Sequence, residues 1–287
     1  MLPVEKFTGF MGSSDNYEGA AFVLFGIPMD FTVSFRPGAR MAPQHIRQVS
    51  FGLEEYDWDL EKSLNDVNFY DMGDVALTLG RIEESFTSIR TVTKKVLSDG
   101  KIPLIIGGEH LITYPVILEF AEKYPDLAVV HFDAHADLRD HYQGEKLSHA
   151  TVMRRVAEII GPQNIYHIGI RSGTQEEKEF ITKKSNYLGQ NVLAGVEKAL
   201  EKLGQKPVFI SLDIDVVDPA FAPGTGTPEP GGATSIEIME AIVKLSSLNI
   251  VGMDLVEVLP VYDPSERTSL LAAKILRRAL LSFNITR

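Results

Sequence analysis

The sequence predicts an α/β fold, a mostly parallel sheet with helices packed on both faces. Short apolar runs alternate with segments of helical spacing along all 287 residues. The strand runs are continuously apolar rather than alternating, as strands covered on both sides are. The polar residues gather where those runs end, and in such sheets ligands bind beyond the carboxyl ends of the strands. No linker, repeat, low-complexity segment or charge block divides the chain, so one domain over residues 1–287 is expected.

Taken in order, residues 20–25 form a strand closing at Gly26-Ile27-Pro28. Residues 34–43, rich in Pro and Gly, form a loop. It runs into a helix over 43–49, with Pro early, where helix starts accept it. Residues 67–71 are a short strand. Residues 81–98 carry Ile82, Phe86, Ile89, Val92 and Val96 at helical spacing and stop at Asp99-Gly100. A strand over 101–106 closes at Gly107-Gly108-Glu109-His110 and leads into a helix ending near Glu122. Residues 127–133 are strand and 138–147 a polar loop, after which Ser148 caps a helix over 149–160. A strand at 164–170, helices at 175–184 and 192–203, and a buried strand at 207–214 follow. A Pro/Gly-rich loop at 219–232, a helix at 235–245, a strand at 250–258 and a helix at 267–281 complete the chain.

Composition narrows the function. A hydrophobic content of 44% with 23% charged residues is ordinary for a globular protein. The net charge of −11 argues against nucleic acid or an anionic membrane as partner and favours a cationic ligand. Cysteine is absent, which excludes disulfides, a thiol nucleophile and thiolate metal sites. The first residues lack a basic, then apolar, signal pattern. No apolar run approaches the roughly 18 residues of a membrane helix. A soluble, cytoplasmic protein is expected.

The chemistry centres on Asp133-Ala134-His135-Ala136-Asp137, which follows the apolar run Leu127 to Val130. Residues two apart share a face of a strand, and two carboxylates with an imidazole on one face suit a metal ion better than a core. In an extended chain at roughly 3.3 Å per residue, Asp133 and His135 lie about 7 Å apart and Asp133 and Asp137 about 13 Å. Ions of a two-metal site sit only about 3.5–4 Å apart. If all three are ligands, the chain must leave strand geometry near Ala134–Ala136. Ser211-Leu212-Asp213-Ile214-Asp215 repeats the device, two carboxylates at the end of an apolar strand. It is no calcium loop, because Val217 and Gly224 stand where ligands belong. Gly107 to His110 adds a histidine at a strand-to-helix turn and lacks the Gly-Lys-Ser/Thr of a phosphate loop.

Together these groups offer four carboxylates and two imidazoles, an oxygen-rich set that leans towards Mn²⁺, with Zn²⁺, Fe²⁺, Co²⁺ or Ni²⁺ also compatible. His149 starts a helix after the polar loop, as either a cap or an acid/base group. His131 lies deeper than Asp133 and reads as support for it. His167 reads as a core histidine, and His45 and His141 as solvated. Glu257 ends a strand, where a carboxylate needs a positive partner, either a local arginine or lysine or a cationic substrate.

The motifs Gly107-Gly-Glu-His110, Asp133-Ala-His-Ala-Asp137, Ser148-His149 and Ser211-Leu-Asp-Ile-Asp215, with the loop at 219–232, resemble those of the ureohydrolase family, which includes arginase and agmatinase. The resemblance runs from about Gly26 to the last helix. It is nearest to the agmatinases in Arg36-Pro-Gly-Ala-Arg40 and Asp137-Leu-Arg-Asp140. It implies a three-layer α/β/α fold of arginase/deacetylase type with about eight strands, and two bridged Mn²⁺ ions per chain.

By motif position, His110, Asp133, Asp137 and Asp213 would hold one ion, and Asp133, His135, Asp213 and Asp215 the other. Asp137 and His149 would move protons, and Glu257 would face the guanidinium of a small cationic substrate. Homotrimers or homohexamers are usual in the family. Two departures, Ala150 where many relatives have glycine and a short stretch between Lys184 and Val192, bear on the pocket mouth. The implied reaction is hydrolysis of agmatine to putrescine and urea by a hydroxide bridging the metals. The same chemistry on guanidinobutyrate, aminopropylagmatine or arginine, a deacetylase-like reaction on one metal, and a non-catalytic metal-binding scaffold are the alternatives. Arg139 is the residue that would suit a carboxylated guanidine.

Overall fold

Alternate residues along each central strand go to opposite faces, and the apolar ones sort into two cores. In a computed structural model describing residues 2–6 and 8–283, Val208, Ile210 and Leu212 pack on one side while Phe209 packs on the other. Met1, Phe7 and residues 284–287, part of the expected domain, lie outside the described residues.

The elements in chain order are β1 (Val4–Glu5), β2 (Phe22–Ile27), α1 (Ala42–Ser50), β3 (Tyr56–Asp57), β4 (Lys62–Ser63), β5 (Phe69–Val75), α2 (Ile82–Ser98), β6 (Ile102–Gly107), α3 (Thr113–Lys123), β7 (Ala128–Phe132), α4 (Val152–Ile160), β8 (Ile165–Ile168), α5 (Gln175–Lys184), β9 (Asn186–Gly189), α6 (Val192–Leu203), β10 (Pro207–Asp213), α7 (Ser235–Leu245), β11 (Asn249–Val256) and α8 (Arg267–Ser282). Among the described residues the main sheet has nine strands in the order β1-β5-β2-β6-β11-β10-β7-β8-β9. Every neighbouring pair is parallel except β1 with β5. Helices α1, α6, α7 and α8 cover one face, and α2, α3 and α4 the other. This is the three-layer α/β/α arrangement.

The expected helices and core strands are present with ends shifted by a few residues. The sequence reading omitted β1, β9 and the β3–β4 hairpin. β1 is two residues long, and β9 is a polar edge strand, so neither carries the apolar run that marks a strand buried on both faces. β9 fills the short stretch between Lys184 and Val192.

The chain order brings the carboxyl ends of β6, β11, β10 and β7 side by side at the middle of the sheet. Gly108 makes the turn after β6 possible: a Cβ there would lie 1.9 Å from the Met29 carbonyl oxygen, so only glycine permits that approach.

Candidate metal centre and active site

β7 ends at Phe132, and the chain then curls as the spacing required. Ala134 accepts from the backbone N–H groups of Arg171 and Ser172, and Asp137 sits in the left-handed region at φ 52°. For a residue other than glycine this conformation is uncommon and costs on the order of 1–3 kcal/mol, so the surroundings must hold it. Glu257, just past β11, has φ 62° and is held by its N–H donating to the Gly108 carbonyl at 2.8 Å.

The curl brings the expected residues together. His110 Nδ1 lies 3.2 Å from Asp133 Oδ2, 3.2 Å from Asp137 Oδ2 and 3.5 Å from Asp213 Oδ2. His135 Nδ1 lies 2.9 Å from Asp215 Oδ2 and 3.5 Å from Asp133 Oδ1. Backbone amides hold the acids from behind. His135 N–H donates to Asp133 at 2.6 Å, Ala134 N–H to Asp215 at 3.0 Å, and Asp215 N–H to Asp213 at 2.8 Å. Glu257 Oε1 accepts from the His110 N–H at 2.8 Å.

Among the described residues, the ion-pair partners of Asp133, Asp137, Asp213 and Asp215 are histidines; no lysine or arginine reaches their carboxylates. The electrostatics follow. Burial, then the charges of Asp215 and Asp133, push Asp213 well above the usual carboxylate range. Burial and the Asp133 charge push Asp137 up to about 7. Burial opposes charge on His135, but Asp215 and Asp133 outweigh it and raise the ring to about 12. The cluster therefore concentrates negative potential that cations relieve.

A divalent pair fits these residues on one further observation. His110 Nδ1 is buried, faces three carboxylate oxygens, and makes no well-aligned hydrogen bond among the described residues. Buried nitrogens without a partner are rare and call for an explanation. A cation lying between the nitrogen and the carboxylates supplies one. Asp133, His135 and Asp215 also present ligand atoms close enough to share an ion, as do His110, His131 and Asp133.

His131 supports Asp133 as expected, with Nε2 at 2.9 Å from Oδ2. His167 is buried, and its Nδ1 faces His131 Nδ1 at 2.9 Å. His141 is exposed beside Asp140. His45 is half-buried and 3.5 Å from Glu266, less solvated than expected because α1 packs it towards the start of α8.

A cavity of about 260 Å³ opens over the cluster, lined by His135, Asp137, Asp213, His149 and Glu257. Its outer wall includes Arg139, Tyr142 and Glu177. Ser148 caps the segment bearing His149 by accepting from Ala150 N–H. The His149 ring meets Tyr142 edge-on at 5.5 Å between centroids, with Nε2 3.3 Å from Ser34 Oγ and Nδ1 3.4 Å from Thr32 Oγ1. Burial pushes this imidazole down to about 4, so it is a neutral base at physiological pH. Enclosure, then the charge of Glu109, lifts Glu257 to about 8.

Sequence reasoning gave Thr32, Ser34 and Glu109 no role in the site. The buried Glu109 carboxylate accepts from the backbone N–H groups of Phe31 and Thr32 and from the Thr32 hydroxyl, and Thr32 Oγ1 accepts from His149 N–H. The signal was there: an acid inside a strand-to-helix turn, next to a metal-ligating histidine type.

The arginase family model matches residues 20–282. The chain belongs to the arginase family. Family relatives of high similarity include an agmatinase of Bacillus subtilis (strain 168), 48% identical over 97% of this chain and 98% of the relative. An agmatinase of Bacillus anthracis is 47% identical, also over 97% and 98%. Among solved arginase-family structures, the agmatine ureohydrolase of Thermoplasma volcanium superposes with a TM-score of 0.87 at 37% identity, covering 97% of this chain and 94% of that one.

Proposed function

We propose that this chain, as a single domain, hydrolyses agmatine to putrescine and urea, using two Mn²⁺ ions. His110, Asp133, Asp137 and Asp213 hold one, and Asp133, His135, Asp213 and Asp215 the other. The observation that carries the reading is a buried set of four carboxylates and two imidazoles, without lysine or arginine, under a cavity that Glu257 also lines. Bound divalent ions supply Lewis acidity and bring the pKa of a water from 15.7 to about 7, a nucleophile available at neutral pH.

A guanidinium is protonated at any physiological pH, and its delocalised carbon is a poor electrophile, so the chain's residues must fix it in place. Glu257 accepts hydrogen bonds from the planar cation, and that positive charge holds the carboxylate ionised despite its enclosure. Asp137, which lines the cavity, takes the proton of the attacking water. His149, neutral as it rests at the cavity wall, accepts that proton and hands it on to the departing amine, returning to its neutral form. Tyr142, Ser34 and Thr32 hold its ring.

The charged residues of the cavity wall bear on the choice among guanidines. Arg139 is already engaged, stacked on Tyr142 at 5.0 Å and 3.7 Å from Glu177, so its charge is not free for a carboxylated guanidine. Glu177 is equally taken up, by Arg139 and by the backbone N–H groups of Leu138 and Thr174, so the pair leaves this wall close to neutral. The product places the enzyme in polyamine biosynthesis, and the absence of cysteine supports a cytoplasmic protein. No described helix is long and apolar enough to cross a membrane. A homotrimer or homohexamer is the assembly we propose.

The test incubates the Mn²⁺-loaded protein with agmatine, guanidinobutyrate, aminopropylagmatine and arginine and measures urea. Agmatine gives the highest kcat/KM on this account. Urea from arginine but not agmatine contradicts it.

A further inference from the structure

Directly beneath the metal cluster, four polar side chains stand in register on neighbouring strands. His167 on β8 pairs with His131 on β7, His131 with Ser211 on β10, and Ser211 with Asp254 on β11. All four are fully buried. Thr113, the first residue of α3, dips into the same row from the α2–α4 side and is also fully buried.

His110 Nε2 lies 3.0 Å from Ser211 Oγ, Ser211 Oγ lies 3.5 Å from Thr113 Oγ1, and Thr113 Oγ1 donates to Asp254 Oδ2 at 2.8 Å. The carboxylate ends the chain and sets its direction. Thr113 has one hydroxyl proton and spends it on Asp254, so its oxygen can only accept from Ser211. Ser211 in turn spends its proton away from His110, so its oxygen can only accept from His110 Nε2–H. Three contacts use three protons, and none is left over.

We infer that Asp254, acting through Thr113 and Ser211, is a positioning residue that keeps the His110 proton on Nε2 and so presents Nδ1 to the metal. This rests on the metal-binding role of His110 proposed above and extends it to residues outside the cavity. Such outer partners fix the tautomer and ring orientation of a ligating histidine, and losing them weakens metal binding about 10–100-fold.

Thr113→Val removes the hydroxyl while keeping shape, and Thr113→Ser keeps the hydroxyl while losing a methyl. Each variant is dialysed against Mn²⁺ with a competing chelator, and urea release from agmatine is followed alongside. Thr113→Val is expected to weaken Mn²⁺ binding about 10–100-fold, with Thr113→Ser close to the unaltered protein. Ser211→Ala, which opens no steric conflict, provides a second route. It is expected to lose as much, and the Ser211→Ala/Thr113→Val double variant no more than Ser211→Ala alone.

Unchanged affinity in Thr113→Val or in Ser211→Ala overturns the relay while leaving the metal assignment standing. A ranking in which Thr113→Ser is as weak as Thr113→Val also overturns it, because packing rather than the hydroxyl would then be what matters. If the unaltered protein takes up no Mn²⁺ in the same dialysis, the metal assignment fails first and the relay with it.

Discussion

Asp71 and Asp74 meet Arg47 at 2.7 and 2.5 Å, and Asp57 meets Arg277 at 2.7 Å and Arg278 at 3.1 Å. Asp133, Asp137, Asp213 and Asp215 are as deeply buried, yet among the described residues histidines are the only cationic side chains their carboxylates meet. The first group ties α1 to β5, and the β3–β4 hairpin to α8, with charge balanced inside the chain. The second group leaves its balance to something brought from outside. Buried acids of the same type thus serve stability in one place and binding in the other, and the cationic partner, rather than the acid, tells them apart.

Replacing one acid in each group should separate them. Asp213→Asn removes a shared ligand, and kcat/KM for agmatine is expected to fall by about 10³-fold or more, as when a charge-stabilising group of an active site is lost. In chelator-treated protein the same change is expected to raise the melting temperature, because Asp213 is repelled there by Asp215 and Asp133. Asp71→Asn should do the reverse. It weakens the bonds that Asp71 accepts from Arg47 and from the Phe10 N–H and costs roughly 1–3 kcal/mol in urea unfolding, with turnover per folded molecule unchanged. Two substitutions moving stability in the same direction would erase the distinction.

Metal should act on one group only. Mn²⁺ at a hundredfold excess over its dissociation constant adds about 2.7 kcal/mol to the unfolding free energy. That gain should survive Asp71→Asn and shrink in Asp213→Asn, as read by thermal melting.

The smallest effect concerns acid. Burial opposes the charged form of Asp57, but the Leu60 N–H and the two arginines outweigh it and hold its carboxyl below the usual range. A depressed folded-state value means a contribution fully present above the unfolded value and lost as pH falls through the folded one. Asp57→Asn should therefore destabilise the protein at neutral pH and flatten the acid side of its stability profile. A steeper acid limb in the variant would contradict this.

Much of this was legible in the residues. The continuous apolar runs marked the buried strands, and the i, i+2 acids at their ends marked the cluster, down to the curl at Ala134–Ala136. The Arg47 and Arg277/Arg278 pairings were not legible, because their partners lie between 24 and 221 residues apart in ways no local spacing records. Asp254 sat unnoticed inside an apolar run for the same reason, since Thr113 and Ser211 reach it only through the sheet order. Strand β9 escaped because an edge strand need not be apolar on both faces.

The central claim is that the arginine-free acids hold two ions and that the ions make the activity. Urea release from agmatine, measured while Mn²⁺ is titrated into chelator-stripped protein with bound metal counted at each point, tests it directly. The account predicts no urea without metal and a plateau reached at two ions per chain. A plateau at one ion, or urea from the stripped protein, would contradict it.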